Sequence, residues 1–540
     1  MKLNFAQNTK RNIVAGTISR GISLLFPFLN RTLFLWLLGP KYLGLNGLFT
    51  SILGVLMLAE LGFGTAVTCS MYKPIAENDH DLVCAYLRFY RTVYRCVGTF
   101  IFIIGMCLLP FLKGMINGNP PADINLYVLY LLHLTNTSVS YFLFAYRGSI
   151  LSAHHRNDVL TNIRTAVSVT QYVAVFLILL LTRNYYLYVV TTVIFTMIQN
   201  LLIVVASNRL FPYIRPRGDL PAEKRRRVIS DVKSIFLHKV GTVISYSIDN
   251  LLIAKFIGLD AVATYGNYYY VYTVVAGIPA IIYSTMMGGF GNRIHTESRE
   301  ENFSLFMQVA RTVGIVIIFC AAMMLATYQP FIKVWMGQKY ATLALHFLTP
   351  ALMVLYFYIN QSRQVLLTFK AAAGLWREDQ WKPVVGGIVK LALGILFIRA
   401  LPAAYRMDGV ILSSIIGYVL IQIPWESHVV FTAFFDRNQA RVYWKNQLQM
   451  ALLALLPCSA ALAAVRLLPI DWIGKLTRQI HIQMPIYEKL ATQFHIQEKI
   501  TKFAGLTVQG VVALAVTSIL VGCLFHKEIG VELRKLRRKN

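Results

Sequence analysis

The chain has 540 residues, of which 56% are hydrophobic and only 14% are charged, and its mean hydropathy is +0.56. A soluble domain carries about 25% charged residues, so this composition excludes a set of ordinary soluble domains and indicates helices that lie in lipid. The formal net charge is +28, but the basic residues fall mostly in short segments between apolar runs. This distribution excludes a basic nucleic-acid-binding domain and is typical of the control of membrane topology.

About fourteen apolar stretches are long enough to span a bilayer, because a spanning helix needs about 20 mostly apolar residues. In chain order the predicted spans are 12–37, 43–70, 86–112, 124–150, 159–182, 184–207, 229–257, 261–289, 304–327, 341–368, 383–400, 408–434, 446–466 and 504–525. The predicted fold class is therefore an all-α integral membrane protein.

The connecting segments alternate between rich and poor in lysine and arginine. The rich ones include the central run from Lys224 to Arg227 and the C-terminal tail from Arg534 to Lys539. By the positive-inside rule these segments are cytoplasmic, which predicts an even number of spans with both termini in the cytoplasm. The central run also predicts contact with anionic membrane lipid. One outer segment, 467–503, is long and carries charges of both signs, so it is either a surface amphipathic helix or a solvated loop.

Two segments of the chain show a trace of internal duplication. FLWLLGPKYLGLNGLF, from Phe34, aligns with IAKFIGLDAVATYGNYY, from Ile253, so that Gly39 pairs with Gly258 and Gly47 with Gly266. Both copies begin on the predicted cytoplasmic side, six helices apart, which predicts two six-helix lobes in parallel repeat with the substrate path between them. The last two helices are then an appendage. The predicted divisions are a first lobe 1–207, a basic linker 208–228, a second lobe 229–434 and an extra helix pair 435–540.

Several stretches resemble polysaccharide-biosynthesis flippases of the Wzx type, in the multidrug/oligosaccharidyl-lipid/polysaccharide exporter superfamily. They include PFLNRTLFLWLLGPKYLGLNGLFTSILGVLMLAELGFGTAVTCSMYKPIAEND, SYFLFAYRGSILSAHHRND, GLDAVATYGNYYYVY and GNRIHTESREEN, and the similarity covers roughly residues 8–435. The resemblance implies a MATE-like fold of two six-helix bundles around a central cavity. It also implies export of an undecaprenyl-pyrophosphate-linked oligosaccharide across the bacterial cytoplasmic membrane.

Ionisable and amide side chains inside the first predicted lobe are candidates for a substrate site, because such groups are rare at membrane depth. Arg20 and Arg31 lie eleven residues apart, so they share one helix face and could bind a diphosphate through their planar donors. Snorkelling to the membrane surface is the alternative. Asn30 and Asn46 could bind glycan hydroxyls or only join helices. Glu60 could pair with an arginine or bind a coupling cation.

The second predicted lobe supplies four further candidates. Asp249 and Asn250 lie beyond the middle of its first helix, where a carboxylate could balance a cavity arginine or take part in coupling. Arg311 and Arg363 lie toward cytoplasmic ends and could guide an anionic headgroup, or could only snorkel. A cluster of tyrosines could stack on sugars or form an interfacial belt; it comprises Tyr265, Tyr268, Tyr269, Tyr270 and Tyr272.

Motifs for enzyme chemistry are not found in the sequence. It has no P-loop, no G-x-S-x-G, no H-E-x-x-H and no C-x-x-C pair among its seven cysteines. We therefore expect a transporter with no catalytic residue, no metal and no cofactor. Its expected partners are the lipid-linked oligosaccharide, anionic lipid and polysaccharide polymerase or assembly proteins, and the expected state is a monomer. Two alternatives remain open: a MATE-type cation-coupled antiporter of small molecules, which needs acidic cavity groups, and a membrane polymerase or ligase, which needs large outer loops.

Overall fold

The computed structural model describes residues 5–60, 63–294, 296–336, 346–375, 378–468, 496–526, 528 and 530. These residues form α-helices joined by short turns, and none of them lies in a β-strand. The helices are α1 (Phe5–Leu37), α2 (Pro40–Leu56), α3 (Phe63–Ala76), α4 (His80–Cys107), α5 (Leu126–Phe142), α6 (Gly148–Ala153), α7 (Asn157–Thr182), α8 (Tyr185–Leu210), α9 (Ala222–Phe256), α10 (Leu259–Arg293), α11 (Arg299–Met336), α12 (Leu348–Ala372), α13 (Lys382–Ala400), α14 (Arg406–Gly417), α15 (Ile423–Ala433), α16 (Arg437–Arg466) and α17 (Ile496–Leu524). The predicted all-α fold class is confirmed.

Eight helices in the described part of the chain are long and apolar enough to cross a membrane, and a bent pair makes a ninth. The protein is therefore a multi-pass membrane protein, whereas the predicted total of about fourteen spans stays a prediction. Of the predicted outer segment 467–503, residues 469–495 lie outside the described residues. The last helix begins at Ile496, earlier than the predicted 504.

The chain divides into two compact units, residues 1–263 and 264–540. In the first unit α1 packs on α7, α5 packs on α4 and α8, and α2 packs on α9. In the second unit α11 packs on α12, α16 and α17, and α13 packs on α14. The lobe and linker boundaries predicted from the sequence stay a prediction.

Helix starts follow the capping residues that the sequence provides. Asp79, Asn125 and Asn184 each accept a hydrogen bond from a backbone N–H of the first turn of α4, α5 and α8. Gly39 and Gly258 precede α2 and α10 with φ of 107° and 131°, a region that favours glycine. Gly39 and Gly258, which are paired in the sequence repeat, therefore make the same kind of turn, each before a helix.

Two predicted spans are interrupted. The predicted helix 43–70 is broken after Leu56 by a 3-10 turn, Met57–Glu60. The predicted helix 124–150 bends by 47° between α5 and the segment Ala145–Ala153, where Phe144 has a φ of 60°. Hydrophobicity alone predicts continuous helices at both places, because the few residues that form each break leave the apolar stretch almost unchanged in length.

Small residues allow close packing of helices in both units. A Cβ on Gly44 of α2 would lie 2.1 Å from the carbonyl oxygen of Leu259, so α2 passes the start of α10 at backbone contact. In the second unit, small side chains of α11, α16 and α17 pack together; this cluster includes Ala322, Ala326, Ala461 and Ala513. Close approach through small residues is the usual way in which membrane helices associate.

Candidate functional site

Polar side chains of the first unit meet where α1, α2, α5 and α8 come together. The Asn30 amide of α1 donates to the Tyr188 hydroxyl of α8 at 3.3 Å. The Tyr185 hydroxyl, one turn earlier on α8, donates to the Asn46 Oδ1 of α2 at 3.4 Å. Asn30, Asn46 and Tyr188 are partly exposed. Polar groups at membrane depth rarely face lipid, so this arrangement suits a surface that meets water or a polar ligand.

His133 of α5 joins the same group. Its Nε2 lies 3.2 Å from the Tyr185 hydroxyl, and its ring lies 5.4 Å from the ring of Phe49. Phe34 holds the two tyrosines in place from α1, because its ring meets those of Tyr185 and Tyr188 edge-on at 5.1 and 5.0 Å. We call Asn30, Asn46, His133, Tyr185 and Tyr188 the polar cluster of the first unit.

Polar pairs continue along the α5–α8 interface beyond this cluster. The Thr196 hydroxyl donates to Asn136 Oδ1 at 2.9 Å, and Asn200 Nδ2 donates to the Ser140 hydroxyl at 3.3 Å. Asn136 and Thr196 are partly exposed, whereas Asn200 is buried. The polar face of the first unit thus extends over about two further turns of α5 and about three of α8.

Arg31 lies on α1 next to the polar cluster. Its Nη2 donates to the carbonyl oxygen of Ala263 at 3.4 Å, and the side chain is only partly buried. Of the other two ionisable candidates in this part of the chain, Arg20 lies within α1 and Glu60 lies in the 3-10 turn, but both side chains lie outside the described residues. Their predicted roles stay predictions.

Asp249 and Asn250 are buried on α9. Asp249 is 2% exposed, and Asn250 donates from Nδ2 to the Ser51 hydroxyl of α2 at 2.8 Å. The contact of Asn250 therefore joins α9 to α2 inside the first unit. The predicted cavity role of both residues stays a prediction.

A chain of five buried charged side chains joins α12, α13 and α15 in the second unit. The five, in spatial order, are Lys370, Asp379, Lys382, Glu426 and Arg363. Lys370 contacts Asp379; Lys382 Nζ lies 2.7 Å from Asp379 Oδ2 and 2.6 Å from Glu426 Oε1. Arg363 binds both Glu426 oxygens, with Nη2 at 2.6 Å and Nε at 3.1 Å. We call these residues the ion chain.

The ion chain holds three cations against two carboxylates. Asp379 and Glu426 are both 0% exposed, so the charges interact in a medium of low polarity. Arg363 also donates to Asn360 at 3.0 Å and lies 4.6 Å above the Tyr418 ring. These contacts satisfy the guanidinium within its own unit, so Arg363, predicted as a cavity candidate, contacts α15 and not solvent in this conformation.

The pH dependence of stability should reveal the ion chain through Asp379, which lies in the turn before α13. Burial alone would raise the pKa of this carboxyl, but Lys382 and Lys370 reverse the effect and hold the pKa below its ordinary value. A carboxyl with a lowered pKa stabilises the fold above its unfolded pKa of about 3.9 and loses this contribution as the pH falls through the folded value.

We therefore expect Asp379→Asn to lower the melting temperature at pH 7. Below about pH 4 the melting temperature of the wild type should fall, and that of the variant should fall less. Thermal unfolding of both proteins in detergent between pH 3 and pH 8 is the measurement. Asp219→Asn is the control, because the side chain of Asp219 is 92% exposed. Equal melting curves for Asp379→Asn and the wild type at every pH would contradict the assignment.

The tyrosines of α10 divide into two groups. Tyr265, Tyr268 and Tyr272 are buried, with at most 4% exposure, whereas Tyr269 and Tyr270 are partly exposed. The interpretation as an interfacial aromatic belt does not fit the three buried rings, which pack inside the protein.

Arg311, on the exposed side of α11, donates from Nε to Asn446 Oδ1 of α16 at 3.0 Å. This contact joins α11 to a helix of the predicted appendage. The predicted role of Arg311 in guiding a headgroup stays a prediction.

The sequence pattern that defines the family described as polysaccharide biosynthesis protein matches residues 9–287, more than half of the 540 residues. The chain belongs to this family. The resemblance to Wzx-type flippases that the sequence motifs indicated is thereby confirmed. No curated protein sequence matches the chain.

Several solved structures have the same fold as this chain. A lipid II flippase MurJ in an inward closed conformation is similar with a TM-score of 0.62 at 12% identity, over 96% of this chain and 99% of that chain. An inward-facing multidrug resistance MATE family transporter of the MOP superfamily has a TM-score of 0.59 at 12% identity, over 80% of this chain and 99% of that chain. An outward-facing MATE transporter has a TM-score of 0.53 at 12% identity, over 82% and 96% of the two chains. The implied MATE-like fold is confirmed.

Seven residues of these two sites are not predicted as site residues from the sequence: His133, Tyr185 and Tyr188 of the polar cluster, and Lys370, Asp379, Lys382 and Glu426 of the ion chain. His133, Lys382 and Glu426 have partners 44 or more positions away in the chain, whereas Asp379 contacts Lys370 and Lys382, nine and three positions away. Two of them carry a signal that could have been used. His133 and Glu426 are isolated ionisable residues in apolar runs, LLHLTNT and IQIPWESHVV.

Proposed function

We propose that this protein is a flippase that moves an undecaprenyl-pyrophosphate-linked oligosaccharide across the bacterial cytoplasmic membrane by alternating access. The observation that carries the proposal is the polar cluster of the first unit beside Arg31. Partly exposed amides and hydroxyls at membrane depth suit the hydroxyls of a glycan, and a neighbouring guanidinium suits a diphosphate. Membership of a polysaccharide biosynthesis family supports a glycan substrate.

The similarity to a lipid II flippase supports a lipid-linked substrate. The polar cluster consists of amides, phenols and one imidazole, and no carboxylate belongs to it, which favours an anionic or neutral substrate over the organic cations of a multidrug antiporter. Arg20, Arg311 and Arg363 are further headgroup candidates, and Glu60 or Asp249 could take part in coupling. The two lobes 1–207 and 229–434 would rock about the substrate.

The topology belongs to the proposal as well. Both termini would be cytoplasmic, and the basic run at the start of α9, from Lys224 to Arg227, would meet anionic lipid. The four side chains of this run are exposed, which such a contact needs. The protein would act as a monomer that delivers its product to polymerase or assembly proteins.

The experiment measures, leaflet by leaflet, the lipid-linked oligosaccharide of cells depleted of this protein. We expect complete units to accumulate on the cytoplasmic side and wild-type protein to reverse the accumulation. Arg31→Gln should restore export at least about tenfold more slowly, because a charged hydrogen bond to substrate contributes about 1.5–3 kcal/mol.

Arg209→Gln is the matched control, since Arg209 is an exposed arginine at the end of α8. It should restore export fully. Accumulation on the outer side only, or no accumulation, would contradict a flippase. Full restoration by Arg31→Gln would be consistent with a flippase but would show that Arg31 does not bind the headgroup.

A further inference from the structure

An imidazole lies in a membrane-spanning helix of the first unit and has a hydroxyl as its hydrogen-bond partner. His133 is in the middle of α5, and its Nε2 lies 3.2 Å from the Tyr185 hydroxyl. That hydroxyl lies 3.4 Å from Asn46 Oδ1. Three helices thus contribute one group each to a row of imidazole, phenol and amide.

The Tyr185 hydroxyl can serve both protonation states of the imidazole. With His133 neutral and its Nε2 unprotonated, the hydroxyl can donate to Nε2. When His133 gains a proton, Nε2–H donates to the hydroxyl oxygen, and the hydroxyl hydrogen turns to Asn46 Oδ1. One rotation of a hydroxyl therefore accommodates the added proton without any side chain moving away.

The imidazole is the more accessible of the two titratable groups in the row. His133 is partly exposed, whereas Tyr185 is only 2% exposed, so a proton reaches the row at the imidazole and not at the phenol. The Tyr130 hydroxyl, one turn earlier on α5, is buried and has no hydrogen-bond partner among the described residues. A buried hydroxyl without a partner, one helical turn from His133, suits a segment that takes up water when it opens.

The hydrogen-bonded and aromatic partners of His133 within the described part of the chain are uncharged. They are the Phe49 ring from α2 and the Tyr185 phenol from α8, and Asn46 of α2 contacts the phenol rather than the imidazole. On the α4 side, Gly105 packs against Leu134, the residue after His133.

Two charged side chains of the described residues in this unit have their contacts elsewhere. Arg31 of α1 is close enough to Tyr188 to act on it electrostatically. Arg147, in the turn beyond the end of α5, donates to the Ile214 carbonyl oxygen at 3.0 Å. A single proton on His133 would therefore change the charge of the polar cluster beside Arg31 by one full unit.

We propose that His133 binds the proton whose transfer across the membrane drives substrate movement, with Tyr185 and Asn46 as the groups that accept the change in protonation. This inference rests on the proposed flippase function and names its coupling ion. The proton would come from water on one side, form imidazolium, and leave to water on the other. A protonated His133 and the Arg31 guanidinium would repel each other unless the diphosphate is bound. This repulsion links proton binding to substrate binding.

The test uses the full-length protein in sealed vesicles with lipid-linked oligosaccharide extracted from the host membrane. An imposed gradient of about one pH unit should shift the final ratio of substrate between the leaflets about tenfold if one proton is coupled. His133→Gln should keep the ratio near one. His428→Gln, the same change at an exposed histidine of α15, should behave as the wild type. A wild-type ratio that ignores the gradient, or a gradient response retained by His133→Gln, would overturn the inference.

A second measurement needs no substrate. Nuclear magnetic resonance of histidine-labelled protein in nanodiscs should show one imidazole signal that shifts with pH and is lost in His133→Gln. Tyr185→Phe should keep this signal and move its midpoint, because the hydroxyl partner is gone. A His133 signal that does not titrate would overturn the proton site. Titration without any substrate transfer by the wild type would instead overturn the proposed function.

Discussion

Replacing Glu426 with glutamine is expected to lower the free energy of unfolding by about 3–5 kcal/mol, the usual cost of removing one partner from a buried ion pair. The carboxylate is fully buried and is shared by Arg363 and Lys382, so both cations lose an anion at once. Denaturant titration of the purified protein in detergent, with thermal unfolding as a second probe, is the measurement.

Glu378→Gln is the control for this prediction. Glu378 carries the same side chain beside the ion chain but is exposed, so we expect a change within about 0.5 kcal/mol. The double variant Arg363→Gln, Glu426→Gln should recover part of the loss, because it removes one unpaired cation. Unchanged stability of the single variant would mean that the ion chain does not hold α12 and α15 together.

Replacing Gly44 with alanine is expected to destabilise the first unit by at least about 1–3 kcal/mol, the range for overpacking a well-packed core. The new methyl group would lie 2.1 Å from the Leu259 carbonyl oxygen and 3.0 Å from its Cα, both backbone atoms that cannot rotate away. Thermal unfolding and the yield of folded protein after size-exclusion chromatography measure the effect.

The matched variant is Gly21→Ala in α1, where no described atom outside the adjoining backbone of the helix lies within 4 Å of the added methyl group. Because alanine favours a helix over glycine by about 1 kcal/mol, this variant should be as stable as the wild type or more stable. A Gly44→Ala protein as stable as the Gly21→Ala protein would refute the close packing of α2 on Leu259.

The sequence predicted the helices well because apolar length and capping residues act locally. The span α13 was predicted at 383–400 and lies at Lys382–Ala400. The breaks after Leu56 and at Phe144 were missed, because a turn inside an apolar run leaves hydropathy unchanged.

The sites were harder to predict, since a side chain's partner is set by packing. Arg363 was noticed as a cation at membrane depth, but Glu426, 63 positions later, decides what it contacts. Asn30 and Asn46 were identified from their own polarity, whereas Tyr185, which is bonded to Asn46 and lies 139 positions from it, was not. An ionisable residue in an apolar run marks a site, and only the fold shows what completes it.

The order of charges along the ion chain determines which substitutions relatives can carry at these five positions. The signs alternate, with a cation at each end and Lys382 in the centre. Loss of any one cation leaves two carboxylates matched by two cations. Substitution of Lys370, Lys382 or Arg363 by a neutral residue therefore keeps the buried charges balanced. Loss of either carboxylate leaves three cations around one anion. Natural relatives should therefore tolerate replacement of one basic member and keep both acids.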